Sequence, residues 1–109
     1  MSIEVSEQFT PIRKGLLEFA VLTVISGKRV YAADILRKLS LTQFATQEGT
    51  LYPLLSKLRR ERLVDYQWKE SETGPPRKYY DLTEKGAQQL RELKKYWITI
   101  NTTLANLEK

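Results

Sequence analysis

The sequence predicts a mainly α fold with one small β-hairpin and a long final helix. Three observations predict it. Apolar residues recur at helical spacing in four separate stretches. Two short runs rich in Val, Tyr, Trp and Leu flank a turn that no helix accepts. The last stretch keeps an apolar seam for about 25 residues. The order is helix, helix, helix, hairpin, long helix. No internal repeat, low-complexity tract or linker divides the 109 residues, a length that suits one domain.

Residues 1–10 carry no periodicity and are expected to be mobile or only loosely docked. From Ile12 to Ile25 the chain is apolar nearly all round: Leu16, Leu17, Phe19, Ala20, Val21, Leu22, Val24 and Ile25 leave almost no polar stripe. Such a helix needs cover on most sides, here its own core on one side and a second subunit on another. Gly27 ends it. Tyr31–Leu39 reads as a short amphipathic helix, with Ile35, Leu36 and Leu39 opposite Arg37 and Lys38. After a polar connection, Gln47–Leu63 reads as a third helix, with Leu51, Leu54, Leu55 and Leu58 on one face. Pro53 cannot donate to the carbonyl four residues back and biases Tyr52 away from helical angles. The helix therefore either kinks there or begins near Thr50. Leu63–Lys69 and Arg77–Leu82 read as strands around Glu70–Pro76, a hairpin with a long tip stiffened by two prolines. Thr83 is a natural N-cap for a helix running to Leu107, and Glu84 suits the positive end of its dipole. Ile98–Thr103 is β-branched, a weak helix former that relies on partner packing.

Composition narrows the function. The net charge of +5 suits a polyanionic partner. An anionic membrane would suit it too, but no apolar run reaches the roughly 18 residues that a spanning helix needs. Residues 2–11 are polar, with Glu4 and Glu7, unlike a secretory leader. There is no cysteine, hence no disulfide or thiolate metal site. There is no histidine, the commonest general base and neutral metal ligand. The carboxylates are scattered and no nucleophile has a base partner in a recognisable arrangement. The expectation is a cytoplasmic protein that is not an enzyme and needs no cofactor or metal.

The third helix carries the first candidate site. Opposite its leucines lie Gly49, Tyr52, Pro53, Ser56 and Arg60, flanked by Lys57 and Arg59. Gly49 permits close backbone approach. Tyr52 and Ser56 can hydrogen-bond a base edge or phosphate, and Lys57 and Arg60 supply sequence-independent attraction. A helix of this kind after a tight connection matches the helix-turn-helix layout, whose second helix enters the major groove of duplex DNA. In the hairpin, Arg77 and Lys78 would reach the phosphates of a neighbouring groove; the plainer reading is that they protect a sheet edge. Tyr66, Trp68, Tyr79 and Tyr80 read as sheet-packing residues. The candidate DNA contacts are Gln47, Gly49, Tyr52, Ser56, Lys57, Arg60, Arg77 and Lys78. The whole is a winged helix-turn-helix unit over residues 1–82 and a C-terminal helix over 83–109, forming one structural unit.

The last helix carries the second site. Leu90, Leu93, Trp97, Ile100, Leu104 and Leu107 step by 3, 4, 3, 4, 3, an a/d seam that packs on another helix. At about 37 Å the helix outruns the domain beside it, so the seam points to a homodimer. The competing reading folds the seam back on its own domain. A two-fold dimer would present two recognition helices one DNA turn apart to an approximate palindrome.

The stretch Glu48–Leu55 (EGTLYPLL), then Leu58 and Leu63–Val64, and above all Gly74–Gly86 (GPPRKYYDLTEKG), resembles the PadR family of bacterial and archaeal regulators. The resemblance covers about residues 12 to 107. It implies a winged helix with an added dimerisation helix, and repression relieved by a small molecule. With a single helix after the wing, the chain resembles the phenolic-acid sensors, with their longer C-terminal domain, less than the short subfamily that includes the lactococcal multidrug-binding regulator. There a tryptophan midway along the last helix pairs with its two-fold mate around flat aromatic drugs, and Trp97 falls at that position. Asn101 replaces an acid of that relative, which removes a charge that favours cationic drugs. Phe9, Ile12 and Asn101 are further candidates for lining that space. From the sequence alone, Trp97 at a seam position is more often plain core packing than a ligand contact; the resemblance brings the two readings level. Two functions follow: a ligand-responsive repressor sensing planar aromatic compounds, or a DNA-binding dimer with no small-molecule effector. A winged helix serving only protein contacts is disfavoured by the cationic face.

Overall fold

A computed structural model describes residues 7–109. A single 3-10 turn, Glu7–Phe9, leads into α1, Thr10–Gly27. Pro11 occupies the first turn of α1, where its missing N–H costs nothing, so the helix starts two residues earlier than its apolar pattern. Of the expectation for residues 1–10, residues 1–6 lie outside the described residues. Leu17, Val21, Leu22 and Ile25 of α1 face the core. Leu16, Phe19, Ala20 and Val24 are only partly covered. That second apolar face is the one the sequence assigned to a partner.

The chain then forms a short strand that the sequence reading missed. In β1, Val30–Tyr31, Val30 pairs with Tyr80 and Tyr31 with Tyr79. Two residues are too few for a periodic signal. Tyr31 was expected to open the second helix; it caps it instead. Its N–H donates to the Asp34 carboxylate (3.0 Å), and α2 runs Ala32–Leu39.

Helix α3 runs Glu48–Arg60, three residues short of the expected end. Pro53 lies inside it, so the helix does not begin at Thr50. The carbonyl that loses its usual donor four residues on is that of Gly49, on an exposed first turn that water can reach. The helix stops because Arg62 takes the left-handed conformation, φ 63°. Leu63 N–H then bonds the Leu58 carbonyl (2.9 Å) and Arg62 N–H the Arg59 carbonyl (2.9 Å). This is the paired-bond helix stop that glycine usually serves. It costs an L-residue roughly 1–2 kcal/mol.

Strands β2, Val64–Ser71, and β3, Gly74–Leu82, complete an antiparallel sheet in the order β1-β3-β2. The hairpin tip is Glu72-Thr73, much tighter than the expected Glu70–Pro76. Pro75 and Pro76 do not stiffen a turn. They lie in β3, opposite a register irregularity between Lys69 and Ser71 and beyond the reach of β1. At a bulge, with one flank of the strand free, missing donors are tolerated.

Helix α4 runs Glu84–Leu107 with Thr83 as its N-cap, whose hydroxyl accepts from Gly86 N–H (2.9 Å). The same hydroxyl donates to the Arg62 carbonyl (2.6 Å), and Thr83 N–H donates to the Leu63 carbonyl (3.1 Å). The start of α4 is thus tied to the stop of α3. A Cβ on Gly86 would fall 1.9 Å from the Leu63 carbonyl oxygen, so only glycine fits. The β-branched stretch Ile98–Thr103 is helical throughout. The core joins α1, α2, α3 and the sheet around Leu22, Ile25, Ile35, Leu51, Leu55, Leu58 and Val64, with Leu90 from α4. The principal extents of 60 × 32 × 21 Å show how elongated the chain is.

Candidate nucleic-acid interface

Helix α3 turns Leu51, Leu55 and Leu58 inward and leaves Gly49, Tyr52, Ser56 and Arg60 exposed. Gln47 caps the helix with its backbone only, so its side-chain amide is uncommitted. A Cβ on Gly49 would meet nothing within 4 Å. Glycine there answers no demand of the chain's own packing and leaves room for an outside surface. The turn before the helix is held from α1: the Arg13 guanidinium donates to the carbonyls of Gln43 and Ala45, both at 2.6 Å. The connection between α2 and α3 is therefore fastened at two points.

The flanking cations behave differently. Lys57 turns toward α1 and pairs with Glu18, and with Glu61 at 3.6 Å. The Glu18 hydrogen bond and charge, with Glu61 adding to them, raise its pKa above the ordinary lysine value. Arg59 turns toward the sheet, stacking 4.4 Å over the Tyr66 ring and pairing with Asp65 at 3.3 Å. The Tyr66 N–H, and then Arg59, hold the Asp65 carboxyl below the usual carboxylate range. Arg60 and Arg62 make no ion pair among the described residues.

Alternation along β3 sends the two wing cations to opposite faces of the sheet. Lys78 lies on the α3 side, 4.5 Å over Tyr66 and 5.4 Å from Trp68. Arg77 lies on the other face, 4.2 Å over Tyr31, which meets Tyr79 edge-on at 4.6 Å. Tyr80 packs in the core, as expected, and burial pushes its hydroxyl pKa up. Trp68 meets the Tyr66 ring edge-on, with centroids 6.0 Å apart, but is largely uncovered. It is 61% exposed, because the outer half of a two-stranded wing has no second layer to cover it.

Two clefts separate α3 from the wing. One, of about 610 Å³, is lined by Ser56, Arg59, Arg60, Arg62, Lys78 and Thr83, among others. The other, of about 410 Å³, lies nearer the wing tip and is lined by Glu48, Tyr52, Trp68, Arg77 and Lys78, among others. The predicted residues Tyr52, Ser56, Arg60, Arg77 and Lys78 thus line a pair of adjacent clefts. Gln47 and Gly49 stand at the exposed first turn beside them, and Lys57 lies outside both. The sequence reading missed Arg62 and Trp68. Arg62 falls beyond the amphipathic pattern, and Trp68 matches the strand pattern that suggested packing.

The seam of α4 divides. Leu90 is buried in the chain's own core and Leu93 packs against it, so within a single chain these two positions are already largely covered. Ile100 is partly covered. Trp97, Leu104 and Leu107 are 44%, 57% and 74% exposed. Trp97 borders an apolar recess of about 440 Å³ with Leu16, Phe19, Ala20, Thr23, Gln43 and Phe44. Asn101 spends its side-chain amide on the Trp97 carbonyl, 3.2 Å away. Phe9 and Ile12 are exposed and lie outside that recess. No described helix is long and apolar enough to cross a membrane.

Comparison with known proteins agrees with this geometry. The family described as "Transcriptional regulator PadR-like family" matches residues 21–92. A PadR-like transcription factor from Bacteroides fragilis is 41% identical with a TM-score of 0.82, covering 94% of this chain and 99% of that one. A PadR-like transcriptional regulator from Bacillus cereus is 40% identical with a TM-score of 0.80, covering 92% and 98%. An uncharacterized protein of Lysinibacillus sphaericus is 29% identical over 92 residues, covering 82% of this chain and 84% of its own length.

Proposed function

The chain belongs to the transcriptional regulator PadR-like family, and from that premise we propose that it is a homodimeric repressor of palindromic duplex DNA whose binding answers to a planar aromatic effector. One observation carries the DNA part. The uncommitted polar face of α3 (Tyr52, Ser56, Arg60) stands beside clefts that also hold Arg77 and Lys78 of the wing. Helix α3 enters the major groove and the wing follows the adjoining backbone. Phosphate contacts fix the register, and Gln47, Tyr52 and Ser56 are placed to read base edges.

The uncovered half of α4 supports a second copy of the chain. Leaving Trp97, Leu104 and Leu107 in water forgoes apolar burial that pairing would recover. The apolar recess beside Trp97 supports an effector site near the same surface. An effector acts only by binding one spacing of the two α3 helices better than another.

Selection from a random duplex library tests the DNA part. The expected result is an approximate palindrome with half-sites centred about 10 base pairs apart. Recovery of unpaired single sites, or of no sequence at all, overturns it. Titration of tryptophan emission with planar aromatic compounds tests the effector. Saturable quenching that Trp97→Ala abolishes supports sensing. No quenching by any compound leaves a DNA-binding dimer without a small-molecule effector.

A further inference from the structure

We propose that Arg62 is a DNA-phosphate contact, and that the strained end of α3 is retained to place its charge in the cleft between α3 and the wing. Among the described residues Arg62 is the one non-glycine with positive φ, at 63°. Its backbone role, closing the helix with the Leu63-to-Leu58 and Arg62-to-Arg59 bonds, is one that glycine performs without strain. Nothing in the chain's own packing calls for an arginine side chain there. It is exposed and makes no ion pair or side-chain hydrogen bond among the described residues. Backbone strain persists where surrounding structure enforces it and where function uses the result. Here the enforcing contact is the Thr83 hydroxyl on the Arg62 carbonyl (2.6 Å).

The position gives the charge a use. Arg62 lines the same cleft as Ser56, Arg60 and Lys78. Of the cations there, Arg59 is partly neutralised by Asp65, while Arg60, Arg62 and Lys78 make no ion pair among the described residues. A helix of thirteen residues is about 20 Å long. With its first turn at the base edges, its C-terminal end meets the sugar-phosphate wall of the groove. Arg60 and Arg62 stand there as two free cations. The contact is to backbone, so it serves every sequence alike.

The inference rests on the DNA-binding reading, and the two fail separately. Binding of the full chain to a labelled mixed-sequence duplex spanning about three helical turns is measured across a range of salt. Three variants are compared with wild type: Arg62→Gly, Arg62→Asn and Arg62→Lys. Glycine relieves the strain, and asparagine tolerates the left-handed conformation without the flexibility of glycine. A dimer loses two such contacts, so both are expected to bind about 25-fold more weakly, about fivefold per contact, with a salt slope lower by about two. Lysine keeps the charge and is expected to bind within about twofold of wild type. The melting temperature of Arg62→Gly is expected to rise by about 3–6 °C while its affinity falls. A merely structural residue would move stability and affinity together, and that outcome overturns the proposal. Wild-type affinity and slope in Arg62→Gly and Arg62→Asn overturn it too. If the wild type itself binds no duplex, the DNA-binding reading falls and this inference with it.

Discussion

The two halves of α4 share one apolar repeat and live in different surroundings. The first half is locked. Gly86 lies so close to Leu63 that a methyl group would collide with its carbonyl, Thr83 caps the helix and grips the end of α3, and Leu90 is buried. The second half carries Trp97, Leu104 and Leu107 into water. Periodicity marks an apolar face; whether the chain or a partner covers that face depends on where the rest of the fold runs out.

The comparison can be broken first at Gly86. Gly86→Ala must push α4 off the α3–β2 junction, since a backbone carbonyl cannot give way as a flexible side chain can. The expected loss is about 3 kcal/mol or more, a fall in melting temperature on the order of 15 °C. A melt within a few degrees of wild type would contradict the locked junction.

Leu90 and Leu107 sharpen it next. Leu90→Ala empties a core position and is expected to cost about 2–4 kcal/mol at any protein concentration. Leu104→Lys with Leu107→Lys touches no buried side chain of the chain itself. In the proposed dimer it lowers the mass measured by light scattering from two chains to one, and it removes the concentration dependence of the melting temperature. Equal behaviour of the two halves would erase the distinction.

A smaller effect is expected at Thr83. Thr83→Ala loses the cap on Gly86 N–H and the bond to Arg62, about 1–2 kcal/mol by chemical denaturation. The smallest is a pH effect at Asp65. Its folded pKa lies below the ordinary value. Its contribution is therefore complete above the unfolded value of about 4 and fades as pH falls through the folded one. Asp65→Asn removes that contribution, so it should lower stability slightly near neutrality and flatten the stability curve below about pH 4. The group is exposed, so the difference is small.

Much of the fold was legible. The leucine spacing of α3, the strand composition of the wing and the Thr83 cap each predicted an element that the structure contains, because each is a local preference repeated over many residues. What was illegible depended on distant partners. The two-residue strand β1 exists only because β3 offers it a ladder. The prolines of β3 are tolerated because β1 is too short to reach them. The exposed polar face of α3 was readable from a helical wheel, whereas the diversion of Lys57 to Glu18 was not, since Glu18 lies 39 residues away in sequence. Trp68 was read as packing on the sheet and does meet Tyr66 edge-on, but its high exposure was not legible, because no second layer covers the outer wing.

The sequence by itself determined the element order, the apolar faces and the cationic balance, since these follow from residue type and short-range spacing. Tertiary structure alone decided which cations stay free, which half of the α4 seam is covered, and that position 62 must turn left-handed with an arginine in place. Those outcomes depend on contacts between α1, α3, the sheet and α4. Burial and ion pairing are properties of such meetings, and no local pattern of residues contains them.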